Sequence, residues 1–257
     1  AVIRFPNELE TLGHFIVQVG KHYRPNAFHN FRHAATVAHM SFMLMTATSA
    51  DGLLGDVQKY ATLLSALCHD VDHPGNTNAF EINAGSDLAL LYNDQSVLEN
   101  HHCAVSFRIM KNSRCNVLQS LSIHDAKEAR KLMVTCILAT DMSMHFQLVA
   151  DLNNKLDSGD EWQVSSDIEQ HFLAKVILHA ADLSNPVRQF HVSAAWAVKI
   201  AEEFNEQVPY FRILLARSIQ IHLTLVCQVK REEELGLPVL GFMVTTNERT
   251  LAKNEIN

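Results

Sequence analysis

The stretch His69-Asp70-Val71-Asp72-His73-Pro74-Gly75-Asn76 decides how this chain is interpreted. It follows an apolar run whose leucines recur at helical spacing, which predicts a largely buried helix that Pro74 and Gly75 stop. Buried imidazoles and carboxylates must be paired or must bind a cation, because an isolated buried charge is very costly. Adjacent His and Asp suit zinc, and a carboxylate can also bridge to magnesium or manganese. A polar helix end with a hydrogen-bonded core histidine is the simpler interpretation of this motif taken alone.

The composition narrows the class of ligand. The chain has 257 residues, which is long enough for one large domain with a well-buried core. Its 21 basic and 28 acidic residues give a net charge of -7, which argues against a nucleic acid polymer as partner. A small anionic ligand remains compatible if local cations or metals receive it. The 15 histidines, several of them in short clusters, indicate metal binding.

The cysteines and the ends of the chain give weaker indications. Five cysteines occur without CxxC spacing, which predicts reduced, buried thiols and a cytoplasmic protein. No signal peptide opens the sequence, and no segment reads as a membrane span. The chain begins in what reads as the middle of a helix, so we expect it to be a fragment of a longer protein.

Hydrophobic periodicity predicts an all-α fold, a compact multi-helix bundle that forms a single domain over residues 1–257. There is no convincing strand alternation and no internal repeat. Asn30 is a plausible N-cap, Ser96 and Glu99 have capping-box spacing, and residues 76–86 are predicted to be a loop. The predicted helices cover residues 7–20, 30–45, a segment through Leu63 and Leu67 to Pro74, 96–110, 126–139, 168–181 and 193–204.

Residues 209–229 do not fit the pattern of the rest. The segment is apolar but contains Arg212, Arg217 and His222, so it is too short and too charged for a membrane span. It is interpreted as an extra packing helix or hairpin, with a partner-binding or membrane-surface segment as the alternative.

Four further groups of polar residues are candidates for metal binding or catalysis. His29 and His33 flank Asn30, so with Asn30 as the cap His29 lies just outside a helix and His33 on its first turn. Such a pair can divide its work, one ring binding metal and the other facing substrate. Asp182 ends an apolar helix, where the helix dipole disfavours a carboxylate unless a cation is near. The remaining two groups are Glu99-Asn100-His101-His102 and Thr140-Asp141.

Taken together, these motifs resemble the catalytic domain of the class I 3′,5′-cyclic nucleotide phosphodiesterases, within the HD-domain metallohydrolases. The resemblance runs from about Phe28 to Phe204. The motifs that carry it are, in order, HNFRHA, HDVDHPGNTNAF, YNDQSVLENHH, ATDMSMH, HAADLSNP and the EEF of residues 202–204. The second motif is long enough to identify the family almost alone.

The resemblance implies two metal ions. His33, His69, Asp70 and Asp182 are then expected to hold a zinc ion, and Asp70 to bridge to a second ion, Mg²⁺ or Mn²⁺. The residues expected to anchor water around the ions are His73, Glu99, His102 and Asp141.

The same resemblance implies a reaction. A hydroxide activated by both metals attacks the cyclic phosphate, and His29 protonates the departing 3′ oxygen as general acid. Glu203 orients that imidazole. The cyclic nucleotide, cAMP or cGMP, becomes a 5′ monophosphate. The residues expected to hold the substrate in a mainly apolar pocket are Asn185, Trp196, Ile200, Phe204 and Glu255.

The sequence also departs from the family. Phe28 stands where a Tyr usually precedes the HN pair, residues 209–229 read as an insertion, and Glu255 occupies the position of the purine-binding Gln. The chain stops before the clamping Phe and the final helix. The alternative is therefore a weakly active or inactive metal-binding module that binds nucleotides or partners. A triphosphate-cleaving HD hydrolase is disfavoured, because no basic cluster for a longer phosphate chain is evident. Regulatory domains are expected outside this fragment.

Overall fold

The computed structural model describes residues 9–47, 50–163 and 166–205, and within these ranges the chain is helical and contains no strand. This confirms the all-α bundle that the periodicity predicts. The eleven α-helices of the described residues are α1 (Leu9–His22), α2 (Phe31–Ala47), α3 (Ala50–Leu53), α4 (Asp56–Cys68), α5 (Asn78–Asn83), α6 (Asp87–Tyr92), α7 (Val97–Met110), α8 (Ile123–Leu138), α9 (His145–Asp157), α10 (Asp167–Asp182) and α11 (Phe190–Asn205).

Helix α4 is the centre of the bundle and packs against α2, α8 and α10. Its side chains Tyr60 and Leu64 are almost fully buried, as are Leu132 on α8 and Leu178 on α10. Burying each such side chain stabilises the fold by about 1.5–3 kcal/mol. Because α4 ends inside this core, the polar stretch that follows it begins in the interior, beside α2 and α10.

The end of α4 differs from the prediction. The helix stops at Cys68, with His69 as its C-cap, and does not continue to Pro74. Asp72 has a left-handed backbone conformation with φ 61°, and its carboxylate accepts from Arg24 Nε at 2.7 Å and contacts His101 Nε2 at 2.8 Å. These distant partners fix a turn that proline rules alone do not reveal.

The region after this turn holds two more corrections. The predicted loop over residues 76–86 contains α5, whose N-cap Thr77 accepts from the Phe80 N–H at 3.2 Å. The capping box at Ser96 is wrong. Ser96 is left-handed with φ 39°, makes no side-chain cap, and donates its hydroxyl to Asp141 Oδ2 at 2.7 Å. Helices α6 and α9 were not predicted, because both are short or largely polar.

The four cysteines of the described residues, Cys68, Cys103, Cys115 and Cys136, are free and buried. The segment 209–229, Cys227 and Glu255 lie outside the described residues. Among the helices described, none is by itself long and apolar enough to cross a membrane. Only α8 together with residues 142–157 reaches that length and composition, and this pair is bent by 84°.

Candidate metal and catalytic centre

The start of α2 separates His29, in the loop before the helix, from His33, on its first turn, as the Asn30 cap predicts. Asn30 Oδ1 accepts from the N–H groups of Arg32 at 2.9 Å and His33 at 3.2 Å, which satisfies the first turn of the helix. Its amide nitrogen donates back to the carbonyls of Asn26 at 2.9 Å and Ala27 at 3.1 Å. The cap therefore places His33 inside the helix and His29 just outside it.

The turn after α4 brings His69 and Asp70 to the same place. The Tyr23 hydroxyl donates to the Leu67 carbonyl at 3.0 Å and accepts from the Asp70 N–H at 3.3 Å. His69 donates its Nδ1–H to the Ala66 carbonyl at 2.9 Å, so its Nε2 lone pair faces away from α4. Both side chains are buried.

Four donor atoms from three distant segments converge here. The Nε2 atoms of His33 and His69 are 3.3 Å apart. Asp182 Oδ1 lies 3.0 Å from the first nitrogen and 3.3 Å from the second. Asp70 Oδ2 lies 3.3 Å and 3.0 Å from the same two atoms. Donors arranged tetrahedrally at the usual zinc bond length of about 2.0–2.1 Å would be separated by about 3.3 Å, so the residues present fit this ion.

The charges of the four-residue cluster described above also favour a bound cation. Burial opposes ionisation of Asp182 and Asp70, but the neighbouring His69 and His33 rings outweigh it and hold both carboxyl pKa values below their ordinary range. Burial lowers the pKa of each ring, and the two carboxylates more than offset this, so that the pKa of both rings is raised. A cluster that draws protons in this way requires positive charge, which a bound metal ion also supplies.

A second group of donors lies on the other side of Asp70. Single donor atoms of Asp70, His73 and His102 lie within 4.8 Å of one another, and all three residues are buried. Asp70 Oδ1 lies 3.9 Å from His102 Nε2 while Oδ2 faces the first cluster, so one carboxylate faces both groups.

The two rings of this second group have opposite tautomers. His102 donates Nδ1–H to the Val71 carbonyl at 2.8 Å, which leaves the Nε2 lone pair free to accept. His73 accepts from the Gly75 N–H at Nδ1, 3.0 Å away, which leaves an Nε2–H that donates. Burial is the main reason that the pKa of both rings is lowered, to about 4 for His102. Neutral His73 is therefore suited to donate to water or phosphate.

Glu99 and Asp141 are the other two predicted water anchors, and both are buried. Glu99 Oε2 accepts from Asn78 Nδ2 at 2.9 Å, and burial, reinforced by the Asp141 charge, raises the pKa of Glu99 to about 7. Asp141 accepts from the Ser96 hydroxyl and, at 2.8 Å, from the Ser143 N–H. Both carboxylates are thus fixed in place.

His29 and Glu203 form a hydrogen-bonded pair beside the first cluster. Glu203 Oε1 contacts His29 Nδ1, and Oε2 accepts from the N–H groups of Phe28 at 2.7 Å and His29 at 2.8 Å. The His29 side chain is 18% exposed and that of Glu203 only 3%, so the ring reaches solvent while its partner does not. Burial opposes ionisation of Glu203, yet hydrogen bonds from His29 hold its pKa below the ordinary value.

The predicted substrate residues are located less completely. Trp196, Ile200 and Phe204 recur at helical spacing on α11, the helix that carries Glu203. The buried Trp196 ring lies 5.4 Å from Phe28 and 5.8 Å from His33 between ring centroids. Asn185 lies in the short turn after α10 and is buried, and its Oδ1 has no hydrogen-bond partner within the part of the chain described.

Sequence reasoning missed three supporting residues: Tyr23, Asn26 and Ser96. Asn26 Nδ2 donates to the carbonyls of His73 at 2.7 Å and His29 at 3.1 Å, so it joins the two histidine motifs. Tyr23 supports Asp70, and Ser96 supports Asp141, as described above. For Tyr23 and Asn26 the local signal is that each lies a few residues from a predicted site residue, whereas the capping-box spacing of Ser96 pointed to a different role.

Comparisons with known proteins point to one family. The family profile described as 3′5′-cyclic nucleotide phosphodiesterase matches residues 28–257. The chain is 35% identical over 240 residues to the high affinity cGMP-specific 3′,5′-cyclic phosphodiesterase 9A of Drosophila melanogaster, covering 93% of this chain and 14% of that protein. It is 36% identical over 207 residues to the 3′,5′-cyclic-nucleotide phosphodiesterase regA of Dictyostelium discoideum, covering 80% and 26%. The chain thus spans well under a third of either relative's length.

A solved structure is similar as well. The phosphodiesterase domain of the RhoPDE fusion protein from the choanoflagellate Salpingoeca rosetta is 36% identical and superposes with a TM-score of 0.80. The match covers 98% of this chain and 73% of that one. Profile, relatives and fold agree over most of the chain, which therefore belongs to the 3′,5′-cyclic nucleotide phosphodiesterase family.

Proposed function

We propose that this chain hydrolyses 3′,5′-cyclic nucleotides, cAMP or cGMP, to 5′-nucleoside monophosphates. The observation that carries the proposal is the convergence of the donor atoms of His33, His69, Asp70 and Asp182, since each imidazole Nε2 lies 3.0–3.3 Å from the other and from one oxygen of each carboxylate. The hydrogen-bonded His29 and Glu203 lie next to this cluster, since the His29 and His33 ring centroids are 5.9 Å apart. A cation site beside a positioned acid is the arrangement that cleavage of a phosphodiester needs.

The proposal includes two cations. Zn²⁺ would be held by the four donors of the first cluster, and Mg²⁺ or Mn²⁺ by the far oxygen of Asp70. The second ion would keep most of its water, as Mg²⁺ prefers, and that water would meet the side chains of His73, Glu99, His102 and Asp141. When bound, such ions supply charge stabilisation for the phosphate and lower the pKa of water.

His29, held by Glu203, would protonate the leaving group. As the oxygen of a hydroxide adds to phosphorus and the P–O3′ bond breaks, Nε2 of protonated His29 would give its proton to O3′, leaving a neutral ring and a 5′ monophosphate. Glu203 has two parts in this step. Its Oε1 holds the His29 ring by Nδ1, and its Oε2 accepts from the two successive backbone N–H groups of Phe28 and His29.

The base of the nucleotide would lie against α11. Trp196 offers a buried aromatic face, with Ile200 and Phe204 on the same side of the helix. Asn185 Oδ1 is buried and lacks a hydrogen-bond partner among the described residues, so it would accept from an exocyclic amine once a bound base reached it. Glu255 completes the proposed set and lies outside the described residues.

The cellular setting is also part of the proposal. Four free, buried thiols support a reducing compartment such as the cytoplasm. The much greater length of the curated relatives supports regulatory segments outside this chain.

Turnover of cAMP and cGMP, with Zn²⁺ and Mn²⁺ supplied, tests the proposal. We expect monophosphate to form, and we expect His29→Ala to reduce kcat by about 100-fold or more because the acid is lost. The matched control is His124→Ala, because His124 is exposed on α8, and its kcat should be unchanged. Binding of nucleotide without turnover would instead identify a binding module. Cleavage of nucleoside triphosphates in preference to cyclic nucleotides would favour the other class of HD hydrolase.

A further inference from the structure

Asn26 makes an unusual set of hydrogen bonds in the loop before α2. Its side-chain amide nitrogen donates to the carbonyl of His73 at 2.7 Å and to the carbonyl of His29 at 3.1 Å. Both partners are acceptors only, so the atom that faces them must be the NH₂ group, and both of its hydrogens are used. One side chain therefore connects the backbone of the proposed acid to the turn that follows the metal-binding motif.

The rings of the same two residues stack. The His29 and His73 centroids are 4.0 Å apart and their planes differ by 12°. Each ring has its own partner at Nδ1, Glu203 for His29 and the Gly75 N–H for His73, so each partner sets the orientation of one ring. Neither of these Nδ1 contacts links the backbone of His29 to that of His73. The two hydrogen bonds from Asn26 make that link.

Gly75 lies next to both Asn26 and Glu203. It has φ +89°, and a Cβ on it would lie 3.6 Å from Asn26 Oδ1 and 3.8 Å from Glu203 Cγ. Asn26 and Glu203 thus lie on either side of the same glycine. A side chain that is half-buried and bounded in this way has little freedom to move with the loop.

We infer that Asn26 is a positioning residue that fixes the distance between the His29 ring and the turn carrying His69, Asp70 and His73. The expected effect of Asn26 on the rate rests on the proposed function. The hydrogen bonds and ring stacking that hold His29 do not depend on it. Asn is the side chain that suits the position. Asp has the same shape but would replace the NH₂ group, and both of its N–H donors, with one carboxylate oxygen that faces two carbonyls, and Ala has neither donor.

The kinetic test compares Asn26→Ala and Asn26→Asp with Asn154→Asp, an exposed position on α9 that receives the same charge change. We expect kcat to fall by about 10- to 100-fold in both Asn26 variants, with KM within about threefold and bound zinc unchanged, because a displaced acid costs rate. Adding Asn26→Ala to His29→Ala should lower kcat no further than twofold, because Asn26 acts through His29. A kcat equal to wild type, or a double variant that loses as much again, would overturn the inference.

A second test needs no turnover. Metal-free protein is treated with diethyl pyrocarbonate, and modification of His29 is followed by peptide mass spectrometry. We expect His29 to react several-fold faster in both Asn26 variants than in wild type or Asn154→Asp, since the ring loses its stacked position. Equal rates would overturn the inference. If the wild type turns over no cyclic nucleotide, the proposed function fails, and the labelling rates still decide whether Asn26 positions the ring.

Discussion

At the scale of single residues, Asp182 gives the sharpest test of the proposed metal site. Its carboxylate ends α10, where the helix dipole disfavours negative charge, yet the His33 and His69 rings keep its pKa low. Replacing it with Asn removes one of two anionic ligands. We expect Asp182→Asn to lose zinc affinity by at least about 100-fold and to lose activity with it. Asp167→Asn, at the exposed other end of α10, should keep both. Metal content after gel filtration decides, and a full zinc complement in Asp182→Asn would contradict the ligand assignment.

Glu99 gives a prediction about pH. Its pKa is raised from 4.5 to about 7, mainly by burial, so the folded chain keeps a proton that the unfolded chain releases above pH 4.5. Stability of metal-free protein should therefore fall as pH rises from 4.5 to 7 and then level off, by up to about 3 kcal/mol. Glu99→Gln keeps an acceptor for Asn78 and removes the titration. Urea unfolding of metal-free samples should show the variant gaining on wild type across that range, and parallel curves would refute the assignment.

At the scale of elements, local rules predict some helix ends and miss others. Asn30 was predicted as a cap, and its Oδ1 does accept from the first turn of α2, since every atom involved lies within three residues. Ser96 has the same local signal but bonds Asp141, 45 residues away. The end of α4 depends likewise on Arg24 and His101, which hold Asp72. The sequence pattern therefore predicts the longer apolar helices but misses α5, α6 and α9, and partners that meet only after folding decide the turns.

The cap of α2 also gives a prediction. Asn30→Ala removes the acceptor for the first turn and the two bonds to the preceding loop, so we expect the free energy of unfolding to fall by about 1–2 kcal/mol. Asn154→Ala, in the exposed interior of α9, should be neutral or slightly stabilising because Ala is the better helix former. Denaturant midpoints compare the two. A loss no larger at Asn30 than at Asn154 would show that the cap contributes nothing.

At the scale of the whole molecule, the cluster ties together segments that are far apart in the sequence. Its four donors come from α2, from the turn after α4 and from the end of α10. All three segments border the core around Tyr60 and Leu64. The packing of the apolar core thus sets the distances between the polar donor atoms. Periodicity predicts the core and the motifs predict the polar residues, but the distances between the donors follow only from the folded packing.

Chelation should therefore destabilise the entire bundle and not only the site. A ligand present at 100 times its Kd stabilises the state that binds it by about 2.7 kcal/mol. For a domain of this size that corresponds to a fall in Tm of about 5–10 °C when the metal is removed with EDTA. We expect Asp182→Asn to lack the ion before EDTA is added, so EDTA should shift its Tm by less than about 1 °C, whereas Asp167→Asn should respond like wild type. Scanning calorimetry with and without EDTA measures all three, and an equal shift in Asp182→Asn would place the stabilising ion elsewhere in the molecule.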